Sequence, residues 1–209
     1  MEFMEYDKYC EDFLNNSRLN TSTNARAYIC FSGKIGEDKW YVQLFHLLLK
    51  TVQKSWITHV CIVGKDFSGD FFCMESTKPV VQINDFKWFK LPYHQGEIYQ
   101  LKEIHQNEHI DILKELSRKY LGKKYGYLQL IGILFVKLFS WLGFKKNIFG
   151  MDRNEQVCSE LSDLYMRETI YSEMFKDIDP DLSTPKQLYD IIKELELQNK
   201  AKLVSTQGF

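Results

Sequence analysis

Three side chains that together could perform nucleophilic catalysis are spread along the sequence: a histidine, a glutamate and a cysteine. His59 lies in the apolar run 56–63, and Glu75 lies in the next short apolar run, 71–76. Cys158 begins a helical pattern after a polar stretch. An imidazole can take the proton of a thiol, a carboxylate can orient the imidazole, and the thiolate can attack a carbonyl carbon. This set of residue types indicates a thiol hydrolase.

The two apolar runs predict a β-hairpin that brings His59 and Glu75 together. Side chains alternate along a strand, so His59 and Cys61 share one face of the first strand, and Cys73 and Glu75 share one face of the second. A loop centred near residue 67 places His59 opposite Glu75 and Cys61 opposite Cys73. Directly paired residues have Cβ atoms about 4.5–5.5 Å apart. A shift of the register by two residues keeps His59 and Glu75 within diagonal reach.

Cys158 lies at the start of a helix predicted over residues 156–170. The first turn of a helix presents unpaired N–H groups and the positive end of the helix dipole, which favour a thiolate and can bind a developing oxyanion. The alternative is a buried, unreactive thiol, because free cysteine is among the most buried residue types. A thiol nucleophile needs both partners, so the presence of all three residues favours catalysis.

A metal site is a second interpretation of the hairpin. Four side chains that can bind metals share one face: His59, Cys61, Cys73 and Glu75. Zinc more often uses closely spaced ligand pairs in turns, and a flat strand face rarely closes a tetrahedron. We therefore expect no metal and no cofactor, while a zinc site held by His59, Cys61 and Cys73 stays open as an alternative.

Composition excludes several classes of protein. The 209 residues carry 27 Lys plus Arg against 28 Asp plus Glu, so no overall field attracts nucleic acid, and no nucleic-acid partner is expected. The 15% of aromatic residues excludes a disordered chain. Five widely spaced cysteines without a C-x-x-C pair argue against a disulfide framework. The N-terminus lacks the apolar segment of a secretory signal, so we expect a cytoplasmic protein.

The order of predicted elements indicates an α+β fold in a single domain over residues 1–209. Strands are predicted at 27–32, 56–63, 71–76 and 79–84, and helices at 39–54, 98–120, 127–143 and 156–170. A last helix begins at Pro185, because Thr184 can cap it and Gln187 completes a capping box. We expect residues 1–24 to be a peripheral segment and residues 191–209 to form a tail.

Two of the predicted helices have an apolar face. In helix 39–54 the shared face consists of Trp40, Leu44, Leu47 and Leu48. In segment 127–143 the 3-4-3-4 repeat consists of Leu128, Ile131, Phe135, Leu138 and Leu142. This segment is shorter than a membrane span and is interrupted by Lys137, so we expect a buried or partner-facing helix. Peripheral lipid contact through residues 127–143 stays an alternative, because lysines flank the segment. The sequence leaves the oligomeric state open.

Several segments together resemble one protein family. They are THVCIV, the following strand that ends in MES, the later VCSEL, and the flanking AYICFSGK, YLGKKYGYLQL and STPKQL. They are similar to the circularly permuted branch of the NlpC-type cysteine peptidases, the YiiX/YaeF-like proteins. In that branch the histidine strand comes first, an acidic residue follows on the next strand, and the nucleophilic cysteine opens a helix near the end.

The resemblance spans roughly residues 27–190 and implies a circularly permuted papain-like fold, in which a small antiparallel sheet packs against helices. It implies five site residues by position: the nucleophile Cys158, the general base His59, the orienting residue Glu75, and the pocket residues Tyr125 and Tyr127. The implied substrates are small peptides or cell-wall-type peptide amides. A lipid acyl ester or amide is an alternative substrate, since related papain-like enzymes act on lipids.

An interaction protein with a degenerate site on the same fold is the competing hypothesis. Two positions depart from the family pattern. Cys61 stands where the family has a glycine after His-Val, and Ile29-Cys30 stands where the family has Asp-Ile. The extra thiol lies close to the predicted imidazole, so these departures bear on activity and on the choice of substrate.

Overall fold

The structure is a computed structural model that describes residues 27–34, 40–65, 71–77, 79–86, 94–139, 142–143 and 155–207. In chain order the elements are β1 (Tyr28–Lys34), α1 (Trp40–Gln53), β2 (His59–Lys65), β3 (Phe71–Ser76), β4 (Val81–Asp85), β5 (His94–Leu101), α2 (Gln106–Tyr120), β6 (Lys124–Tyr125), α3 (Tyr127–Phe139), β7 (Glu155–Gln156), α4 (Cys158–Arg167), α5 (Pro185–Leu197) and β8 (Ala201–Gln207). Two short 3-10 helices, Ser172–Phe175 and Pro180–Leu182, join α4 to α5. None of the described helices has the length and apolar character that crossing a membrane requires.

Six strands form one antiparallel sheet in the order β4-β3-β2-β1-β5-β8. The interior strands β1 and β2 are buried on both faces, which explains their nearly continuous apolar sequences. The two-residue strands β6 and β7 form a separate parallel pair. The predicted α+β class is confirmed, with helices packed against an antiparallel sheet.

The two faces of the sheet carry different cores. On one face, α2, α4 and α5 pack against strand residues such as Phe31, Ile62 and Met74. On the opposite face lies a smaller cluster that includes Cys61 and Cys73. A third cluster joins α1 to α3 beside the start of α4. The second face is also the face of His59 and Glu75 by strand alternation, so it carries two of the candidate site residues.

The helix predicted over residues 98–120 is wrong in its first part. Residues 94–101 form β5, which pairs with β1 on one side and with β8 on the other, and the helix begins only at Gln106. Ile98 and Tyr99 are both buried, in cores on opposite faces of the sheet. The hydrogen bonds to two neighbouring strands decide the conformation of this segment, and these partners are distant in sequence.

The tail predicted for residues 191–209 is also wrong for its described part. Residues up to Leu197 belong to α5, and β8 then forms an edge of the sheet against β5. The chain reverses through Asn199, which has a positive φ of 60°. Asparagine tolerates this conformation better than most residues. Residues 1–24, predicted as peripheral, lie outside the described residues.

The apolar faces of two helices point in an unexpected direction. In α1, Leu49 is buried while Leu47 and Leu48 are exposed, and the side chains of Trp40 and Leu44 lie outside the description. The residues of the predicted 3-4-3-4 repeat are all exposed, four of them on α3 and Leu142 beyond its end, and the opposite side of the helix is buried instead. The helix predicted as buried or partner-facing is thus buried on the side opposite to the repeat, because α3 is apolar on both sides and the packing partner selects one of them.

The local signals at α5 are confirmed in detail. The Thr184 hydroxyl accepts a hydrogen bond from the Gln187 N–H at 3.3 Å, and the Gln187 side chain accepts one from the Thr184 N–H at 3.1 Å. Pro185 occupies the first turn, where its missing N–H needs no partner. Short-range chemistry at this position was sufficient to predict the helix start.

Candidate active site

Cys158 is positioned by two residues that precede it and that are tied to other elements. The Gln156 carbonyl oxygen accepts hydrogen bonds from the Ser76 hydroxyl at 2.6 Å and from the Gly126 N–H at 3.0 Å. Ser76 directly follows Glu75 in β3, so these bonds fix the start of α4 relative to the histidine hairpin. Gly126 allows this close approach, because a Cβ atom there would lie 2.8 Å from Oε1 of Gln129 and 3.3 Å from Cγ1 of Val157, so both side chains would have to shift.

The first turn of α4 begins at Cys158 itself, which is buried. Val157 is extended, with φ −106° and ψ 160°, and its side chain provides no hydrogen bond that caps the helix. The Glu160 carboxyl accepts a hydrogen bond from the backbone of Val157. The N–H of Cys158 therefore lies at the positive end of the helix, beside its own sulfur, where it can bind an oxyanion.

His59 and Glu75 are in direct contact. The His59 Nε2 lies 2.8 Å from Oε2 of Glu75, and the side chains are 22% and 9% exposed, respectively. The second carboxylate oxygen of Glu75 accepts a hydrogen bond from Nδ2 of Asn84 at 3.0 Å. Both oxygens of Glu75 are thus held, and the imidazole is fixed in one orientation.

The contact does not arise from the expected strand register. The observed pairs are Ile62 with Met74 and Val63 with Cys73, which is a shift of two residues. In this register His59 does not lie directly opposite Glu75, and the two side chains meet diagonally instead. The predicted pairing of Cys61 with Cys73 is likewise wrong, while the predicted proximity of His59 and Glu75 is confirmed. The length of the loop did not determine the register.

The His59 ring also forms a hydrogen bond with the Cys158 thiol. Nε2 is already occupied by Glu75, which leaves Nδ1 for the sulfur. Burial by itself lowers the pKa of His59, but the attraction and hydrogen bonding of Cys158 and Glu75 together raise that pKa well above the ordinary histidine value. The structure therefore joins Cys158, His59 and Glu75 in one hydrogen-bonded chain.

The Glu75 carboxyl has the electrostatics of an orienting residue. Burial tends to raise its pKa, but the hydrogen bonds from His59, Asn84 and Gln82 and the charge of His59 lower the pKa below the ordinary glutamate value. Glu75 thus stays ionised at neutral pH beside a histidine that favours its charged form. The imidazolium and the carboxylate stabilise one another.

Tyr125 and Tyr127 lie next to each other beside this chain. Their rings are 4.9 Å apart in an edge-to-face arrangement. Burial, together with the charge of Cys158, raises the pKa of Tyr125 well above its ordinary value, so its hydroxyl stays protonated. Tyr127 is exposed at the start of α3. Of the two pocket residues implied by the family resemblance, Tyr125 thus lies near Cys158, and Tyr127 contacts Tyr125.

Two polar residues that support the site were not predicted. Asn84 holds Glu75, and it lies on β4 directly opposite Cys73 in the sheet. Glu160 accepts a hydrogen bond from Gln129 at 2.7 Å and so joins α4 to α3, while burial raises the pKa of Glu160 to about 7. The alternation along residues 79–84 was the only signal for Asn84, and no sequence signal indicated Glu160.

The hairpin also contains a possible metal donor set. The donor atoms of His59, Cys61 and Glu75 all lie within 4.8 Å of one another, and this is the one such group found in the described part of the chain. Cys73 does not belong to it, so the predicted set of His59, Cys61 and Cys73 is wrong in one member. Burial raises the pKa of Cys61 well above the usual thiol value.

Comparisons with known proteins give one structural relative. No protein-family model matches the chain, and no curated protein matches it either. The fold resembles that of YiiX. The crystal structure of this Escherichia coli O157:H7 protein, described as a metalloprotein, superposes with a TM-score of 0.53 at 13% sequence identity. The match covers 87% of this chain and 97% of YiiX.

At this level of identity, the similarity to YiiX concerns the fold alone. It supports the YiiX-like architecture that the sequence resemblance implied, over most of both chains. The chemistry of the site must therefore be argued from the residues of this chain.

Proposed function

We propose that this protein is a cysteine hydrolase that cleaves an amide bond through Cys158, His59 and Glu75. The observation that carries the proposal is the hydrogen-bonded chain of these three side chains at the start of α4. Each member has the environment that its role requires. The nucleophile lies at a helix N-terminus, the base contacts it, and a carboxylate orients the base.

The reaction uses these groups in two steps. The Cys158 thiolate attacks the carbonyl carbon, and the N–H of Cys158 stabilises the oxyanion. The C–N bond then breaks as protonated His59 gives its proton to the leaving amine, which leaves a thioester on Cys158. In the second step His59 takes a proton from water, the water oxygen attacks the thioester carbonyl, and the C–S bond breaks to release the acid.

The fold supports a circularly permuted papain-like arrangement. The histidine strand β2 and the glutamate strand β3 precede the cysteine helix α4 in the chain, which reverses the ordinary papain-like order. We propose that the chain belongs to the NlpC-type branch. The support is this order, the similarity of the VCSEL and THVCIV segments, and the YiiX-like fold.

The substrate that fits this site best is a small peptide or a cell-wall-type peptide amide. Tyr125 and Tyr127 offer an aromatic surface next to Cys158, which suits a small acyl group. A lipid acyl ester or amide is the alternative substrate. The exposed apolar side of α3, which begins at Tyr127, favours it.

An epoxide-type thiol probe tests the hydrolase proposal. Peptide mapping after brief labelling at pH 7 should find the probe on Cys158, at a rate at least about tenfold above that of free cysteine. Cys158→Ala should abolish labelling, and Cys61→Ser should leave it unchanged. Labelling of Cys158 no faster than that of free cysteine would contradict the proposal and favour an interaction protein with a degenerate site.

A metal-binding function is the second candidate, and the donor group of His59, Cys61 and Glu75 favours it. Imidazole, thiolate and carboxylate are all zinc ligands, and the related fold of YiiX is described as that of a metalloprotein. Zinc binding by these three residues would also be unfavourable in two respects. Zinc would compete with the hydrogen bond between His59 and Glu75 and would require the buried Cys61 thiol to lose its proton.

Cys61→Ser separates the two candidates, because Cys61 belongs to the metal group and not to the catalytic chain. A metalloprotein should contain about one zinc per chain, as measured by elemental analysis, and should lose it in Cys61→Ser while keeping it in Cys158→Ala. If the protein is a hydrolase without metal, neither the wild type nor the two variants should contain stoichiometric zinc. Zinc retained by Cys61→Ser would exclude this donor set.

A further inference from the structure

We propose that the exposed apolar side of α3 docks this protein onto an anionic lipid surface. The face consists of Leu128, Ile131, Phe135 and Leu138 of α3 together with Leu142, which follows the helix, and we call it the α3 face. Its members are 36–58% exposed, which is unusual for so many large apolar side chains in one row. The proposal does not depend on the hydrolase function.

The α3 face has a fixed orientation. The opposite side of the helix is anchored by Leu130, Ile133 and Leu134, which pack against Leu49 of α1 and against Val157. The segment from Leu128 to Leu138 is helical and spans about 15 Å at 1.5 Å per residue. The helix is too short to cross a bilayer, but its apolar side can lie in the interfacial plane.

The positive charge of the segment that contains the α3 face favours an anionic partner. Residues 121–151 contain five lysines and no aspartate or glutamate, in a protein whose net charge is −1. Lys123 and Lys124 precede the helix, Lys137 lies within it, and Lys145 and Lys146 follow it in sequence. A row of apolar side chains flanked by lysines complements acyl chains bordered by anionic headgroups.

The same charges argue against a second copy of this chain as the partner. A symmetric dimer brings the same surface of both subunits together. Contact through the α3 face would therefore place lysines from both copies near one another, and the segment 121–151 has no acidic residue to pair with them. An anionic surface removes this repulsion.

The α3 face is also continuous with the candidate active site. Its helix begins at Tyr127, whose ring contacts Tyr125, and Tyr125 lies close enough to Cys158 to be influenced by its charge. Docking through α3 would bring this end of the molecule to the membrane surface. The position favours substrates or partners located at that surface.

Vesicle flotation with the full chain tests the proposal. Vesicles of phosphatidylcholine mixed with an equal amount of phosphatidylserine should carry the protein, and vesicles of phosphatidylcholine alone should carry much less. The double variant Ile131→Ser with Leu138→Ser should weaken binding by at least about tenfold. Both residues are exposed, so the thermal unfolding temperature should change little, which circular dichroism would verify.

A matched control uses exposed apolar residues elsewhere. Ile170 and Leu197 are 53% and 88% exposed and lie outside α3, so Ile170→Ser with Leu197→Ser should bind vesicles like the wild type. In the same assay Lys123→Gln with Lys124→Gln should weaken binding several-fold, and added salt should weaken wild-type binding. The exposed pair Lys176→Gln with Lys202→Gln should have a smaller effect.

Three results would overturn the proposal: no flotation with either vesicle, equal flotation with both vesicles, or loss of binding in both double serine variants. A concentration-dependent dimer that Ile131→Ser with Leu138→Ser abolishes, without vesicle binding, would instead assign the α3 face to a second copy. Cys158→Ala should bind vesicles like the wild type. Failure of this docking is thus distinguishable from failure of the hydrolase proposal.

Discussion

Two buried histidines of this protein experience opposite electrostatic environments. His109 in α2 is almost fully buried, and its Nδ1 contacts the Tyr165 hydroxyl at 2.7 Å. Burial lowers the pKa of His109 to about 4, so the ring is neutral at pH 7. His59 is also desolvated, but its contacts with Glu75 and Cys158 raise its pKa well above the ordinary value.

The difference shows that burial alone does not decide whether the pKa of a histidine is raised or lowered. His109 contacts an uncharged hydroxyl, which stabilises an imidazolium far less than a carboxylate does. His59 has a carboxylate on one ring nitrogen and a thiol on the other, and both stabilise the protonated ring. His59 thus differs from His109 in its partners, Glu75 and Cys158. Substitution of these residues tests the comparison.

The largest expected effect is that of His59→Ala. Removal of the base should lower the rate of Cys158 modification and of any amide hydrolysis by about 10²- to 10⁴-fold at pH 7. Initial rates with the epoxide-type probe measure this. His109→Gln should keep the rate of Cys158 modification within a few-fold of the wild type, since His109 lies outside the proposed catalytic chain. Equal losses in both variants would remove the distinction between the two histidines.

Glu75→Gln should lower the rate of Cys158 modification by about 10- to 100-fold and change the pH dependence of that rate. The wild-type rate should fall on the alkaline side at a pH above the ordinary histidine pKa, because His59 then loses its proton. Glutamine removes the negative charge that holds this proton, so the alkaline fall should move to lower pH. An unchanged profile would show that Glu75 does not act through His59. Glu103→Gln, at an exposed position, serves as the control.

Glu75→Gln should also change the stability of the protein in a pH-dependent way. The pKa of Glu75 is lowered in the folded protein, so its contribution to stability is present above the ordinary glutamate pKa and is lost as the pH falls through the folded value. The difference in unfolding free energy between the wild type and Glu75→Gln should therefore shrink in acid. Urea unfolding at neutral and acidic pH measures this difference.

His109→Gln should reduce the acid sensitivity of the protein. The pKa of His109 is about 4 in the folded state and about 6.5 in the unfolded state, so below pH 6.5 only the unfolded chain takes up this proton. The unfolding free energy then falls by about 1.4 kcal/mol per pH unit. Between pH 7 and pH 5 the wild type should lose about 2 kcal/mol more than His109→Gln. An equal loss in the wild type and in His109→Gln would contradict this account of His109.

The smallest expected effect on catalysis is that of Cys61→Ala. This thiol lies close to the imidazole but is fully buried within strand β2, and burial raises its pKa well above the usual value. We expect the rate of Cys158 modification to stay within about threefold of the wild type and the unfolding free energy to fall by about 1 kcal/mol. A large loss of rate would show that Cys61 takes part in the site.

The candidate site was predictable because its members are recognisable by residue type and local context. The histidine strand, the glutamate strand and a cysteine before a helical pattern are all short-range signals, and the family resemblance places them in order. The register of the hairpin was not predictable, since residues 66–70 can connect the strands in more than one way. His59 and Glu75 are in contact although the register differs by two residues from the expected one, because their side chains remain on one face of the sheet.

The amino-acid sequence by itself determined the local features: the strand runs around His59 and Glu75, the helix start at Cys158, and the capping box of Thr184 and Gln187. Each depends on residues only a few positions apart, whose hydrogen bonds and steric preferences act in any tertiary setting. These features are sufficient to indicate an α+β protein with a candidate thiol site.

Only the tertiary structure decided which segments complete the sheet and which apolar surfaces are buried. Strands β5 and β8 exist because their backbone groups pair with strands that are distant in the chain. The helix α3 is apolar on both sides, and its packing against α1 and Val157 buries one and leaves the other exposed. Burial is a property of the packing partner as well as of the residue, so periodicity identified the α3 face without revealing its direction.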